Sequence, residues 1–459
     1  ILFVRSVMLA RLLPVETFGV YALAGSIVTL SVTLPNFGLG GAFLHRAPET
    51  EDEGQAAATH FTLKAILTLV WAAVLALGAL VFATGEIRVA LLLLTATTAG
   101  VELTQTYWLI LVRRVVHRRL ALLQLIQVLL TTVAALSLAW NGATLWALLT
   151  TDIVALAVTF VGLCLWRPVW RPHLAWSPDR VRYFLHFGSR NFVAAVLLRT
   201  LDRVDDLWAG FYLGKTALGF YAKAYTFATY PRRVLAVPVN QVVRGTYAAL
   251  KGDRQRLSQA FFRTNALLVR SGFFLAGLLA LIAPEFIRLL LTDKWLPMLD
   301  AFRLMLVFTL LDPLKISISH VLVAVGRPEQ VMRARLVQLV ILVIGLFSLG
   351  PWLGIAGVAL AVDLMLAVGI GILLWMVRAY VDFSLARLFA APGLALTLGL
   401  ILGGAVSRLP GVSGNDWLSA FGKAVVFSSV YAGVLVWMER AVMFQMFDVL
   451  RKSTRPLRG

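Results

Sequence analysis

Stretches of about 20 apolar residues recur from one end of this chain to the other, each separated from the next by a short polar connection. With 459 residues, 60% of them hydrophobic and 14% charged, the chain does not read as a soluble enzyme built on a single core. In hydrocarbon the backbone has no water to bond, so each run must satisfy its own N–H and C=O groups as a helix. The expected class is therefore an all-α polytopic membrane protein. Spans are expected near 1–13, 18–43, 61–83, 88–112, 120–140, 143–165, 185–212, 217–247, 262–291, 298–325, 331–349, 354–377, 385–406 and 419–438, about fourteen in all. The opening "ILFVRSVMLARLL" reads as the tail of a span cut at its start. Arg5 and Arg11 interrupt and follow its apolar run instead of preceding it, as a signal peptide would require.

The connections alternate in character. One set is basic: "RRVVHRR" at 113–119, "RPVWRPHLAWSPDRVR" at 167–182, "KGDRQR" at 251–256, "GRPEQVMRAR" at 326–335 and the tail "RKSTRPLR" at 451–458. The other is nearly uncharged, as in "NG" at 141–142, "LG" at 213–214 and "GPWLG" at 350–354. Lys and Arg resist translocation, so the basic set is expected in the cytoplasm, and with it the less basic "HRAPETEDEG" connection and the C-terminus. The net charge of +19 then belongs largely to the membrane surface facing anionic lipid, and it does not argue for nucleic acid. The proline- and tryptophan-rich segment 167–182 divides the chain into an expected bundle of six helices at 1–166 and a second at 183–380. Two extra spans and a basic tail follow at 381–459.

The two halves share a signature. "LLPVETFGVYALA" at 12–24 aligns without gaps on "YLGKTALGFYAKA" at 212–224, matching Leu13, Gly19, Tyr21, Ala22 and Ala24 to Leu213, Gly219, Tyr221, Ala222 and Ala224. Six spans per repeat is an even number, so the copies keep one orientation, an arrangement that encloses a central cavity in transporters. The look-alike of a phosphate-binding loop at "GFYLGKT" lacks its first glycine, because position 209 is Ala, and no strand precedes it. ATP binding is not expected there, and no other cofactor signature is present.

Charges inside the spans must pair or face water, because each costs about 2.5 kcal/mol or more in hydrocarbon. In "RTLDRVDD", Arg199, Asp202, Arg203 and Asp206 fall at i, i+3, i+4 and i+7 on one helical face, with Asp205 off to the side. Arg5, Arg190, Lys223, Arg232, Arg233, Arg270, Arg303, Asp312 and Lys315 join them. The sign is biased to positive, and a surplus of cations in a low-dielectric vestibule attracts an anion. A phosphate or pyrophosphate suits the forked contacts of arginine. Salt bridges among Arg199, Arg203, Asp202 and Asp206 would lock helices instead, but they leave the cationic surplus unexplained. The six histidines show no metal spacing, and the lone Cys164 allows no disulfide within the chain.

"LARLLPVETFGVYALAGSIVTLSVTLPNFGLGGAFLHRAPE" at 9–49, "LGKTALGFYAKAYTFATYP" at 213–231 and "GRPEQVMRARLVQLVILVIGLFSLGPWLGIAGVALA" at 326–361 resemble polysaccharide and O-antigen flippases of the multidrug/oligosaccharidyl-lipid/polysaccharide exporter superfamily. The resemblance implies a flippase, not an enzyme. It would move an undecaprenyl-diphosphate-linked oligosaccharide across a bacterial inner membrane by alternating access, coupled to H⁺ or Na⁺. It makes Arg5, Arg199, Arg203, Lys223, Arg270 and Lys315 candidate substrate contacts, and Asp202 and Asp206 candidate ion-coupling carboxylates. A multidrug/cation antiporter of the same superfamily is the first alternative. A membrane polysaccharide polymerase or ligase is the second, disfavoured by the lack of a large outer loop.

Overall fold

A computed structural model describes residues 1–46 and 53–409, the backbone of 414–453, and side chains as far as 440. Among them the chain is helical with short turns and no strand. The helices are α1 (Leu2–Leu12), α2 (Val15–Ser31), α3 (Thr33–Asn36), α4 (Leu39–His45), α5 (Glu53–Phe82), α6 (Gly85–Arg113), α7 (His117–Trp140), α8 (Leu145–Phe160) and α9 (Pro178–Trp208). They continue as α10 (Lys215–Pro231), α11 (Val237–Leu250), α12 (Arg254–Leu281), α13 (Ala283–Phe286), α14 (Leu299–Ala324), α15 (Pro328–Val377), α16 (Leu385–Ala405) and α17 (Asp416–Ser453). Wider π turns extend α8 over Val161–Leu165 and α9 over Ala209–Leu213, and join α10 to α11 over Arg232–Ala236.

Among the described residues ten helical stretches are long and apolar enough to cross a membrane. They differ from the expected fourteen at four places. Helix α1 has 11 residues, and α9 carries the charges of "RTLDRVDD". The span at 217–247 is broken after Pro231, whose ring forbids the regular hydrogen bond, into α10 and α11. The spans at 331–349 and 354–377 form one run that turns at Gly354, where φ is +58° and a side chain would be strained. Beyond that turn α15 folds back on itself: a Cβ on Gly345 would lie 2.7 Å from the Ala361 Cβ, and one on Gly357 2.2 Å from the Leu349 carbonyl oxygen. Phe82, Trp140, Trp352 and Trp417 stand exposed at the ends expected to face outside, as aromatic side chains do at a bilayer interface.

The chain divides into two compact units, 1–222 and 223–459. Helix α9, expected to open the second bundle, packs in the first unit on α2, α4 and α5. Segment 167–177 is also held there. Arg119 donates to the carbonyls of Gly162 and Arg167 at 2.7 and 3.0 Å, and Trp170 packs with Tyr107 and Phe61. The core of this unit gathers Val20, Ala24, Leu91, Leu94 and Leu149 from α2, α6 and α8. In the second unit, α12, α16 and α17 share Phe274, Ala395, Phe427 and Tyr431. Side chains cap three helix starts: the Asp253 carboxylate accepts from Arg256 N at 3.0 Å, the Ser384 hydroxyl from Arg387 N at 3.4 Å and the Asn415 amide oxygen from Trp417 N at 2.9 Å. Part of the "HRAPETEDEG" connection and the basic tail at 451–458 lie outside the residues whose side chains are described.

Candidate functional site: charges held inside the spans

The repeated signature places two tyrosines in equivalent roles. Tyr21 on α2 donates to Asp152 Oδ2 on α8 at 2.8 Å, and Tyr221 on α10 donates to Asp205 Oδ2 on α9 at 2.5 Å. Gly19 and Gly219, matched in the same signature, sit where α2 meets α10. A Cβ on Gly19 would fall 1.6 Å from the Lys215 carbonyl oxygen, and one on Gly219 2.3 Å from that of Val15. Only glycine admits backbone so close. Arg5, Tyr21, Asp152, Asp206 and Tyr221 each lie about six to eight residues, ~9–12 Å along a helix, from the turns expected to face outside. Polar groups of the first unit thus share a depth.

Around that layer the expected face of α9 divides. Arg203 donates to Asp206 Oδ2 at 3.0 Å, and the same oxygen accepts from the Ser26 hydroxyl at 3.0 Å. Arg199 and Asp202 are exposed on the helix surface. Asp205, which the helical face left aside, is the buried acid of the group. Arg5 on α1 donates from Nη1 to Thr131 Oγ1 on α7 at 3.0 Å. Nearer the inner end the same unit buries a second group, absent from the expected set. Lys64, fully buried, meets Glu102 Oε2 at 2.5 Å and donates to the Asn36 side-chain oxygen, while His60 Nδ1 meets Thr106 Oγ1 at 3.0 Å. A single lysine in "FTLKAILTL" and a single glutamate in "AGVELTQ" were the sequence signals for it.

In the second unit two cations share one carboxylate. Asp312 on α14 accepts from Arg232 at one oxygen and from Lys315 Nζ at the other, the latter at 2.7 Å. Both cations lie over the Phe308 ring, at 5.2 and 5.7 Å from its centroid. Arg232 and Lys315 keep 21% and 24% of their side-chain surface exposed, whereas Asp312 keeps 2%. This group therefore presents one uncompensated positive charge beside an aromatic ring. Prolines mark it, Pro231 next to Arg232 and Pro313 next to Asp312, and Asn240 Nδ2 donates to the Pro313 carbonyl at 3.3 Å. Lys223 is buried, 6.0 Å from the Phe227 centroid. Arg270 lies apart from both. It is buried to 3% exposure, with Nε and Nη2 on the two oxygens of Glu439 at 2.8 and 2.7 Å and Nη1 on the Ala266 carbonyl at 2.9 Å. Its donors are committed within the unit. Among the described residues no three His, Cys, Asp or Glu side chains are placed to hold a metal ion.

The helical architecture is shared with solved flippase and multidrug-transporter structures. It superposes on the lipid II flippase MurJ in an inward closed conformation with a TM-score of 0.76 and 16% identity, over 96% of each chain. It also superposes on an inward-facing multidrug resistance MATE family transporter with a TM-score of 0.63 and 15% identity, over 82% of this chain and 93% of that one. At those identities the likeness is one of fold. Residues 8–300 match the family described as polysaccharide biosynthesis protein, and the chain belongs to that family. Among curated relatives, the succinoglycan biosynthesis transport protein ExoT of Rhizobium meliloti is 28% identical over 64% of this chain and 59% of its own length. The teichuronic acid biosynthesis protein TuaB of Bacillus subtilis is 24% identical over 37% of this chain and 35% of its own. The matched region thus spans less than two thirds of either relative.

Proposed function

We propose that this chain is a flippase that carries a lipid-linked oligosaccharide, with an undecaprenyl-diphosphate anchor, across a bacterial inner membrane for surface polysaccharide export. Membership of the polysaccharide biosynthesis family and a transport relative, ExoT, support the class. The observation that carries the substrate chemistry is the pair Arg232 and Lys315, two partly exposed cations on one buried carboxylate. The remaining positive charge, set in a low-dielectric span, attracts a diphosphate, and the Phe308 face beside it suits a sugar ring. In this reading the repeated halves, 1–166 and 183–380, rock about a central cationic cavity. Arg5, Arg199, Arg203 and Lys223 line the headgroup path, and Asp202 and Asp206 take part in ion coupling. Arg270, its fork occupied by Glu439, we assign to holding α12 against α17 rather than to the headgroup. The C-terminus lies in the cytoplasm.

The test replaces Arg232 or Lys315 by Met and follows surface glycan in the natural host. Export is expected to fail while the protein remains at its normal level in the membrane. Normal surface glycan in both variants refutes the headgroup assignment. The fold shared with a multidrug MATE transporter supports the antiporter reading, which predicts efflux of organic cations by the wild-type protein. Efflux without glycan export would decide for it.

A further inference from the structure

Among the described residues four acidic side chains are buried outright: Asp205, Glu285, Asp312 and Asp363. Asp205 is held by Tyr221, Glu285 by Lys423 and Ser419, and Asp312 by Arg232 and Lys315. Asp363 differs from all of them. It is 7% exposed, and neither of its carboxyl oxygens has a hydrogen-bond partner. It sits in the returning arm of α15, nine residues past the Gly354 turn, in the stretch where the two arms are closest: Gly345 abuts Ala361, and Gly369 leaves room only for the Gln338 side chain.

The first arm of α15 lies against this arm, and α14 packs on α15. They carry Asp300, Arg303, Asp312, Lys315, His320, Glu329, Arg333 and Arg335, and none of these reaches the Asp363 carboxyl. The returning arm itself carries no other charge. A bare carboxylate so placed has neither counter-ion nor donor among the described residues, a costly state for a side chain within a membrane. The neutral acid escapes the charge penalty and keeps only the smaller cost of a buried polar group.

We propose that Asp363 is a proton-binding site, occupied by a proton in this conformation and emptied only when the contact between the two arms of α15 opens to water. On release the carboxylic O–H bond breaks, its electron pair stays on Asp363, and the proton passes to a water molecule. Reseating the arm requires a proton to return. The contact is thereby tied to a transmembrane proton gradient. The link from this site to transport rests on the flippase reading above; the site itself does not.

The full-length protein in liposomes is treated with dicyclohexylcarbodiimide, which adds to protonated carboxyls in apolar surroundings, and modified peptides are quantified by mass spectrometry across a pH series. Asp363 should be modified several-fold more than the exposed, arginine-bonded Asp382, with modification falling as pH rises. Asp363→Asn should remove the signal yet leave a folded protein, since the amide is a neutral match in shape, and Asp363→Glu should retain it. In cells, Asp363→Asn should abolish the response of glycan export to a proton gradient, and Asp363→Glu should preserve it in part. No modification of Asp363 at any pH, or gradient-driven export by Asp363→Asn, overturns the proton site. Modification as expected in a wild-type protein that moves no glycan leaves the site standing and removes the flippase reading.

Discussion

Replacing Arg270 by Met separates a helix clamp from a headgroup contact. Arg270 is 3% exposed and Glu439 is 14% exposed, and their two nitrogens and two oxygens meet at 2.6 to 2.8 Å. Removing the guanidinium leaves the Glu439 carboxylate buried without its partner, a change that costs about 3–5 kcal/mol. The effect can be turned into a melting shift. An unfolding entropy of ~2.1 cal/mol/K per residue over the roughly 240 residues of the second unit is about 0.5 kcal/mol/K, so the midpoint should fall by about 6–10 °C. The double variant Arg270→Met, Glu439→Leu replaces an ion pair by apolar volume and should recover most of that loss, to within ~1–2 kcal/mol of wild type. The assay is thermal unfolding of detergent-purified protein, with surface glycan followed in parallel. A clamp predicts that export returns with stability in the double variant. An unchanged melting midpoint in Arg270→Met together with lost export would falsify the clamp and restore Arg270 to the substrate path.

Three further outcomes follow from other sites. Gly19→Ala and Gly219→Ala should each cost upwards of ~3 kcal/mol, because the added methyl meets a carbonyl oxygen, whereas Gly78→Ala, with nothing within 4 Å, should be neutral or stabilising; the yield of monodisperse protein in detergent reads the difference. Lys64→Met should destabilise by about 3–5 kcal/mol through the abandoned Glu102, and adding Glu102→Gln should restore most of it, measured by thermal melting. Hydrogen bonds from Arg254, whose Nη2 and Nε lie 2.8 and 3.1 Å from the two oxygens, hold the Asp382 carboxyl below the usual carboxylate range. A lowered acid stabilises above its unfolded pKa of roughly 3.9 and loses that contribution as pH falls through its folded value. Amide exchange across 378–384 should therefore be indifferent to pH from neutrality to about 5 and quicken, beyond its intrinsic pH dependence, only in stronger acid.

Elements that follow from apolar length were legible in the sequence, while partners were not. The runs that became α5, α7 and α16 could be read directly, because a helix in hydrocarbon needs only local hydrogen bonds and about 20 apolar residues. "GPWLG" likewise signalled the reversal at Gly354. Helix α9 was harder: its charges lie at helical spacing, but the spacing does not say which side meets a neighbour, so Asp205 was set aside although it is the buried acid. The partner of Arg270 lies 169 positions away at Glu439, just past the last expected span at 419–438. No local pattern joins the two. The repeat held more than was drawn from it, since matched Tyr21 and Tyr221 both bond carboxylates and matched Gly19 and Gly219 both admit close backbone.

Helix α17 is fastened at two levels. Lys423 meets Glu285 on α13 at 2.5 Å, and about four turns further along Glu439 grips Arg270 on α12, with the Tyr431 hydroxyl donating to the Arg270 carbonyl at 2.8 Å between them. A rod pinned at two separated points can neither spin about its axis nor slide past its neighbour without breaking both pins. Helices α12 and α17 must therefore travel together as one strut, and any rearrangement of this unit has to be sought in its unpinned members.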